Sequence, residues 1–248
     1  MAGDGGTQPR VVGFDALDDA ARALDRGALV AVPGVGGYSL AVHVGVEGAE
    51  ARLDALVADP DGPHYAVGQR DVVRTMTSGW TGEIDTLLER CWPGPLELFL
   101  PRAGDDAGVA GARGEQTEAT EETEATEEAV ATAGGAEAGG WAMVVGMPEG
   151  RALRRLCREH GPWRTVPLAF ADASEVARAY DGADVELVLD GGRREGPPAT
   201  LVDATVSPVR VLREGALPAS FVEGALLMAT RRRWFSRSRR SKRRGTPG

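Results

Sequence analysis

The chain contains no asparagine, and its only lysine is Lys242. Its two cysteines, Cys91 and Cys157, lie far apart and form no C-x-x-C. That excludes a disulfide scaffold and a thiolate metal site, and it points to a reducing compartment. No apolar run approaches the roughly 20 residues needed to span a bilayer. The N-terminal MAGDGGTQPR lacks a charged-then-apolar leader pattern. A soluble cytoplasmic protein is the expectation. The three histidines, His43, His64 and His160, are scattered without metal-ligand spacing, which predicts surface or packing roles. Gly34-Val35-Gly36-Gly37 follows an apolar run, but Ser39 stands where a third glycine would be and no G-K-(S/T) follows. A dinucleotide or Walker site is therefore excluded, leaving a flexible strand-to-helix loop. Neither Ser39 nor Ser174 lies in a nucleophile elbow, so hydrolase chemistry has no support. Asp184, Glu186 and Asp190 alternate with apolar residues, the pattern of a strand's exposed side.

With 248 residues and 42% hydrophobic content, the chain can bury a full core in one domain. The formal net charge of −9 is unevenly spread. Residues 104–140 are rich in Gly, Ala, Thr and Glu and carry the hexad Thr-Glu-Ala-Thr-Glu-Glu twice in tandem, at Thr117–Glu122 and Thr123–Glu128. Such a composition cannot bury enough apolar surface to offset its ordering entropy, so a disordered acidic insertion is expected. At the other extreme lie Arg231, Arg232, Arg233, Arg237, Arg239, Arg240, Lys242, Arg243 and Arg244, interleaved with Trp234 and Phe235 and free of acids. Clustered guanidinium groups attract phosphates and the aromatics could stack on bases, so RNA is one candidate partner and an anionic membrane surface another. A solvated tail that neutralises the acidic insertion is the third reading. The body between these segments is acidic, which is unsuited to nucleic acid on its own.

The periodicities predict helices over Ala16–Arg26, Ala49–Ala58, Asp71–Met76, Gly82–Cys91, Arg151–His160 and Ser174–Tyr180. Strands are predicted over Ala28–Val32, Tyr65–Val67, Leu96–Leu100, Trp141–Met147, Pro167–Phe170 and Val185–Leu189. Thr200–Ala204 and Val209–Arg213 read as an antiparallel pair. The expected fold class is α/β, one open sheet with helices around it. The boundaries follow: a disordered N-terminus over 1–13, one domain from 14–103 and 141–222, the insertion over 104–140, and a basic tail over 223–248.

Trp92-Pro93-Gly94-Pro95-Leu96-Glu97-Leu98 is the most distinctive local sequence. Two prolines fix φ and remove two backbone donors, so neither helix nor ladder runs through this corner. It resembles the W-P-G-P-(L/V)-T-L element of the YrdC-like family, the threonylcarbamoyl-AMP synthases of tRNA modification. Gly27–Ala41 is similar to that family's opening strand and P-T-(D/E)-T loop, and Val144–Pro148 to its V-x-R-(V/M)-P. Asp190-Gly191-Gly192 followed by Pro198–Asp203 resembles D-G-G…S-T-(V/I)-V-D, and Val211–Ala216 resembles I-L-R-x-G-(A/E). The pieces stand in family order over residues 14–220, apart from the insertion.

The resemblance implies a single YrdC-like domain with a twisted mixed sheet and a concave cavity. It also implies a reaction of ATP, L-threonine and bicarbonate that yields threonylcarbamoyl-AMP and pyrophosphate. Of the family's ligand contacts, the resemblance carries over Tyr38, Thr200 and Arg213, the last as an ATP contact. Much is missing. The family's K-x-R pair, aligned on Pro60, falls on Val57 and Asp59. Its loop threonine falls on Gly34, its V-x-R arginine on Gly146, its W-P-G-P-x-T threonine on Glu97 and its serine before the conserved threonine on Ala199. Its S-A-N asparagine has no counterpart. Compensation by Arg52, Arg70 or Arg74 would need a rebuilt site. Three function classes follow: a degenerate family member kept as a binding module for a nucleotide or small anion, a divergent active synthase using ATP and Mg, and an RNA-associated protein acting through its tail. No catalytic residue and no metal ligand is assigned, and no cofactor is expected unless the family activity is retained.

Overall fold

A computed structural model of the chain describes residues 8–59, 62–104 and 141–228. Ten strands form one mixed sheet: β1 (Arg10–Val12), β2 (Leu29–Pro33), β3 (Tyr38–His43), β4 (His64–Ala66), β5 (Gly94–Pro101), β6 (Ala142–Met147), β7 (Trp163–Leu168), β8 (Val185–Leu189), β9 (Thr200–Asp203) and β10 (Arg210–Arg213). Their order across the sheet is β1-β8-β2-β3-β7-β4-β6-β5-β9-β10. The helices are α1 (Leu17–Asp25), α2 (Ala49–Leu56), α3 (Arg70–Met76), α4 (Gly82–Cys91), α5 (Arg151–His160), α6 (Ala173–Ala179) and a last helix, α7, over 219–228.

Central strands covered on both faces read as continuous apolar runs, and β2, Leu-Val-Ala-Val-Pro, is buried at every position. On one face, α1 and α5 lay Ala20, Leu24, Leu153 and Leu156 against Val30, Ala41, Trp163 and Leu187. On the other, α2 and α6 cover β2, β3 and β8, while α3 and α4 cover β5 and β6. Helix α4 starts where Thr81 accepts a hydrogen bond from the Ile84 amide, and α6 where Asp172 accepts from the Glu175 amide. Helix α1 ends at Gly27, whose φ of +75° suits glycine and whose Cβ would lie 2.5 Å from Val46.

The structure moves several sequence boundaries. Residues 10–12, expected in a disordered N-terminus, form β1 parallel to β8, with the Asp190 amide donating to Val12 O at 2.7 Å. Backbone pairing with only partial side-chain burial holds this strand, so hydropathy carries no trace of it. Helix α7 extends past residue 222, where the tail was expected to begin, and buries Val222. Gly34–Gly37 is no strand-to-helix loop: it is the turn of an antiparallel hairpin between β2 and β3, closed by Gly34 N–H to Gly37 O at 2.8 Å. Strand β7 begins four residues before the expected Pro167, and Pro167 sits inside it opposite Ser39. The mixed α/β class and the antiparallel β9–β10 pair are as expected. No helix among the described residues is long and apolar enough to cross a membrane.

Candidate functional site

Side chains alternate along each strand, so register decides which residues share a face. Ser39 pairs with Pro167, Thr165 with both Ala41 and His64, Ala66 with Gly146 and Trp163, and Glu97 with Gly146. This row presents small residues at its centre (Ala41, Ala66, Gly146) and polar ones around them. Beside the α1–α5 packing it leaves a cavity of about 510 Å³. The Gly34–Gly37 turn, the segment after Met147, Arg194 and Arg213 complete its wall.

The Trp-Pro-Gly-Pro corner aims Glu97 into this cavity. Trp92 is buried and its indole N–H donates to Leu96 O at 2.8 Å. Gly94 is required by close approach: a Cβ there would stand 2.3 Å from Cys91 O. The ladder of β5 with β6 is interrupted between Gly94 and Glu97, and beyond the irregularity Glu97 lies opposite Gly146. A Cβ on Gly146 would meet the Glu97 side chain at 3.3 Å, so the glycine gives Glu97 its space. Glu97 Oε2 is 3.6 Å from Arg213 Nη2.

The three residues carried over by resemblance part company. Arg213 lines the cavity, in its ion pair with Glu97. Tyr38 also lines it, but its hydroxyl donates to Gly192 O at 2.9 Å and accepts from the Gly191 amide at 3.1 Å. Burial, joined by the Asp190 charge, pushes the phenol's pKa above its ordinary value despite the Gly191 amide. It pins the Asp-Gly-Gly turn to β3. Thr200 does not reach the cavity. It is fully buried, donates to Leu217 O at 2.6 Å, and accepts from the Gly215 and Leu217 amides at 2.9 and 3.0 Å. With its hydroxyl engaged this way, Thr200 fastens the chain after β10 to β9. The arginines considered as substitutes are also engaged elsewhere. Arg52 holds Gly27 O, Arg70 donates to Trp92 O at 2.6 Å, and Arg74 pairs with Asp85 and covers the Trp80 ring. Residues 105–140 of the insertion expected over 104–140, and Arg231 to Arg244 with Trp234, lie outside the described residues.

The strongest polar assembly is one the sequence reading missed. Asp59 lies just before β4 with its side chain 5% exposed. Its carboxylate accepts from Arg164 Nη1 at 2.9 Å and stands 3.0 Å from His64 Nδ1. Arg164 and His64 are themselves buried. Arg164 is registered with Tyr65 and alternates with Thr165, so it leaves β7 toward the sheet's opposite face. There it pairs with Asp54 at 3.1 Å and borders a second, polar cavity of about 400 Å³ with Glu50, Asp54, Tyr65 and Arg102. Val57 and Asp59, the positions of the family's K-x-R pair, line this second cavity and not the first. Burial opposes a charged His64, but the Asp59 hydrogen bond and the charges of Glu97 and Asp59 outweigh it and raise the imidazole pKa. A lone charged residue in a mostly apolar strand, Trp163–Leu168, was the available signal: a buried guanidinium requires a carboxylate.

Among the described residues no group of three or more His, Cys, Asp or Glu is arranged to hold a metal ion. No protein-family model matches the sequence, and no curated protein does. Solved structures do. P. abyssi Sua5 complexed with L-threonine is 24% identical with a TM-score of 0.66, covering 88% of this chain and 61% of that one. A second P. abyssi Sua5 structure gives 22% identity and a TM-score of 0.64, covering 87% and 60%. E. coli YciO is 16% identical with a TM-score of 0.61, covering 86% of this chain and 97% of its own. The chain thus spans about three fifths of the length of the Sua5 structures and nearly all of YciO. Its cavity-bearing sheet has the YrdC-like fold that the Trp-Pro-Gly-Pro corner and its companion motifs implied.

Proposed function

We propose that this protein is a YrdC-fold binding module that takes a small anionic ligand in the larger cavity and does not form threonylcarbamoyl-AMP. One observation carries the reading: Arg213, the arginine that the resemblance makes an ATP contact, is paired with Glu97, where the family has a threonine. The acid occupies the space opened by Gly146, where the family has an arginine. Two changes thus act together, one removing a cation and one countering Arg213, while Arg194 is the other arginine on the wall. The cavity wall also includes Glu149. Its residues do not suit a triphosphate with its magnesium, which needs several uncompensated cations. A hydrogen bond to a charged group is worth roughly 1.5–3 kcal/mol, so losing three such contacts costs about 4–9 kcal/mol, or roughly 10³- to 10⁶-fold in rate or affinity.

The test is pyrophosphate release by the purified full chain with ATP, L-threonine, bicarbonate and magnesium. No release above background is expected. Threonine-dependent release at the level of Sua5 overturns the reading in favour of a divergent synthase.

A further inference from the structure

His64 opens β4 and is one of the residues that line the larger cavity. Its Nδ1 is 3.0 and 3.1 Å from the two Asp59 carboxylate oxygens and 2.9 Å from Gly62 O. A carboxylate and a carbonyl only accept, so Nδ1 carries a proton and donates it. The other ring nitrogen, Nε2, is buried and has no hydrogen-bond partner among the described residues. The whole residue is 3% exposed. A buried polar atom left unmatched beside a cavity, on a ring already oriented from behind by a carboxylate, is the arrangement of a ligand-binding group.

We propose that His64 Nε2, protonated and backed by Asp59, donates a hydrogen bond to one oxygen of a small singly charged organic acid bound in this cavity. The inference rests on reading the cavity as a binding site. The charge distribution selects the ligand class. Asp59 faces the ring from the preceding loop and Glu97 faces it from β5. Arg164 reaches it from β7 only through Asp59, Asp54 of α2 only through Arg164, and Arg213 of β10 through Glu97. Thr165 and Val144, its register partners, add no charge. Glu149 and Arg194 border the cavity as well. Of the groups that line the cavity, the His64 imidazolium, Arg194 and Arg213 stand against Glu97 and Glu149, a net charge of +1 that matches one negative charge and disfavours a polyanion. Ala66, Leu153 and Trp163 offer an apolar wall for the ligand's hydrocarbon part. Because the imidazole pKa is raised, the ring is charged to a higher pH than a free histidine. Ligand and proton are taken up together, so affinity should fall about tenfold per pH unit once the pH exceeds that pKa.

The experiment is a pH titration of the full chain, selectively labelled with ¹⁵N-histidine, followed by NMR with sodium butyrate, sodium benzoate and inorganic phosphate as probes. His64→Gln identifies the His64 resonances. The expected result is that butyrate or benzoate shifts Nε2 and raises the His64 pKa, that phosphate at equal concentration does so at least fivefold less, and that His64→Gln abolishes the pH dependence of binding. If neither acid moves Nε2 or the pKa, or if phosphate matches them, the proposal is wrong. Should His64→Gln fail to fold, the wild-type shifts, assigned by exclusion of His43 and His160 variants, decide alone. This titration reads one imidazole, whereas the pyrophosphate assay reads the family chemistry, so either can fail without the other.

Discussion

Replacing Asp59 with Asn tests the buried charge assembly most directly. The change keeps shape and removes one negative charge. Arg164 would lose its 2.9 Å carboxylate and keep only Asp54, whose side chain is 56% exposed, plus the carbonyls of His64 and Thr165. Stranding a buried charge costs about 3–5 kcal/mol. For a domain of this size that corresponds to a fall in Tm of about 6–20 °C. The loss should also depend on pH. His64 has a folded pKa above its unfolded value of about 6.5, so its pairing with Asp59 contributes fully below that pH and disappears as pH rises through the folded pKa. Urea denaturation at pH 6 and pH 9 should therefore show a larger penalty for Asp59→Asn at pH 6. At pH 9 only the Arg164 part remains. At pH 9, where His64 is neutral, the paired replacement Asp59→Leu with Arg164→Met should cost less than Asp59→Asn alone, because no buried guanidinium is left without a carboxylate. A penalty under about 1 kcal/mol, or an additive double variant, would show that the three groups do not form one electrostatic unit.

Glu97→Thr puts the family's residue at this position and removes the Glu97–Arg213 ion pair. ATP affinity measured by calorimetry should rise roughly tenfold, about 1.4 kcal/mol, and an unchanged affinity would mean that Glu97 does not hold Arg213 back. Cys157 is buried against Ala66 O, and burial pushes its thiol up to about 12, so it should stay silent to Ellman's reagent at pH 8 until the protein unfolds. Fast labelling of the native protein by two thiols would contradict the packing of α5. If the basic tail binds single-stranded RNA through about six phosphates, log K should fall with log salt at a slope of about −4, and truncation before Arg231 should abolish binding. RNA binding that survives truncation would place the contact on the acidic body instead.

Motifs that combine a rigid backbone with apolar runs were legible from sequence. Trp92–Leu100 announced a corner and a buried strand because two prolines leave the backbone few alternatives, although β5 starts at Gly94, contains Pro95 and pairs Gly94 with Met147 where no ladder was expected. The burial of β2 followed from five consecutive small or apolar residues. Strand β3 was hidden, since Tyr38-Ser39-Leu40 was read as part of a glycine loop. The real reason for those glycines is a backbone approach: a Cβ on Gly36 would lie 2.8 Å from the carbonyls of Gly196 and Pro197. Strand β1 was hidden because ladder pairing leaves no hydropathic mark. Glu97 and Asp59 stood out as acids where the family has a threonine and an arginine, but their partners did not. Arg213 is 116 positions from Glu97 and Arg164 is 105 from Asp59, and only the fold brings them together. The backbone partners of Thr200 were not legible either, because a hydroxyl in a motif looks the same whether it meets a ligand or three backbone groups.

The junction between β5 and β6 has a consequence for engineering. Pro101 and Ala142 are register partners, Arg102 N–H donates to Trp141 O at 2.7 Å, and Ala103 N–H donates to Met76 O at 2.8 Å. The two ends of the long segment between them are therefore clamped side by side by the domain itself. Closure entropy grows only with the logarithm of loop length, so trimming the 36 residues of 105–140 to a four-residue turn alters it by about 2 kcal/mol, in the favourable direction. The domain thus carries a built-in docking port at this edge. A reporter domain whose own termini lie close together could be grafted there, or new chain ends opened by circular permutation, without asking the sheet to change register.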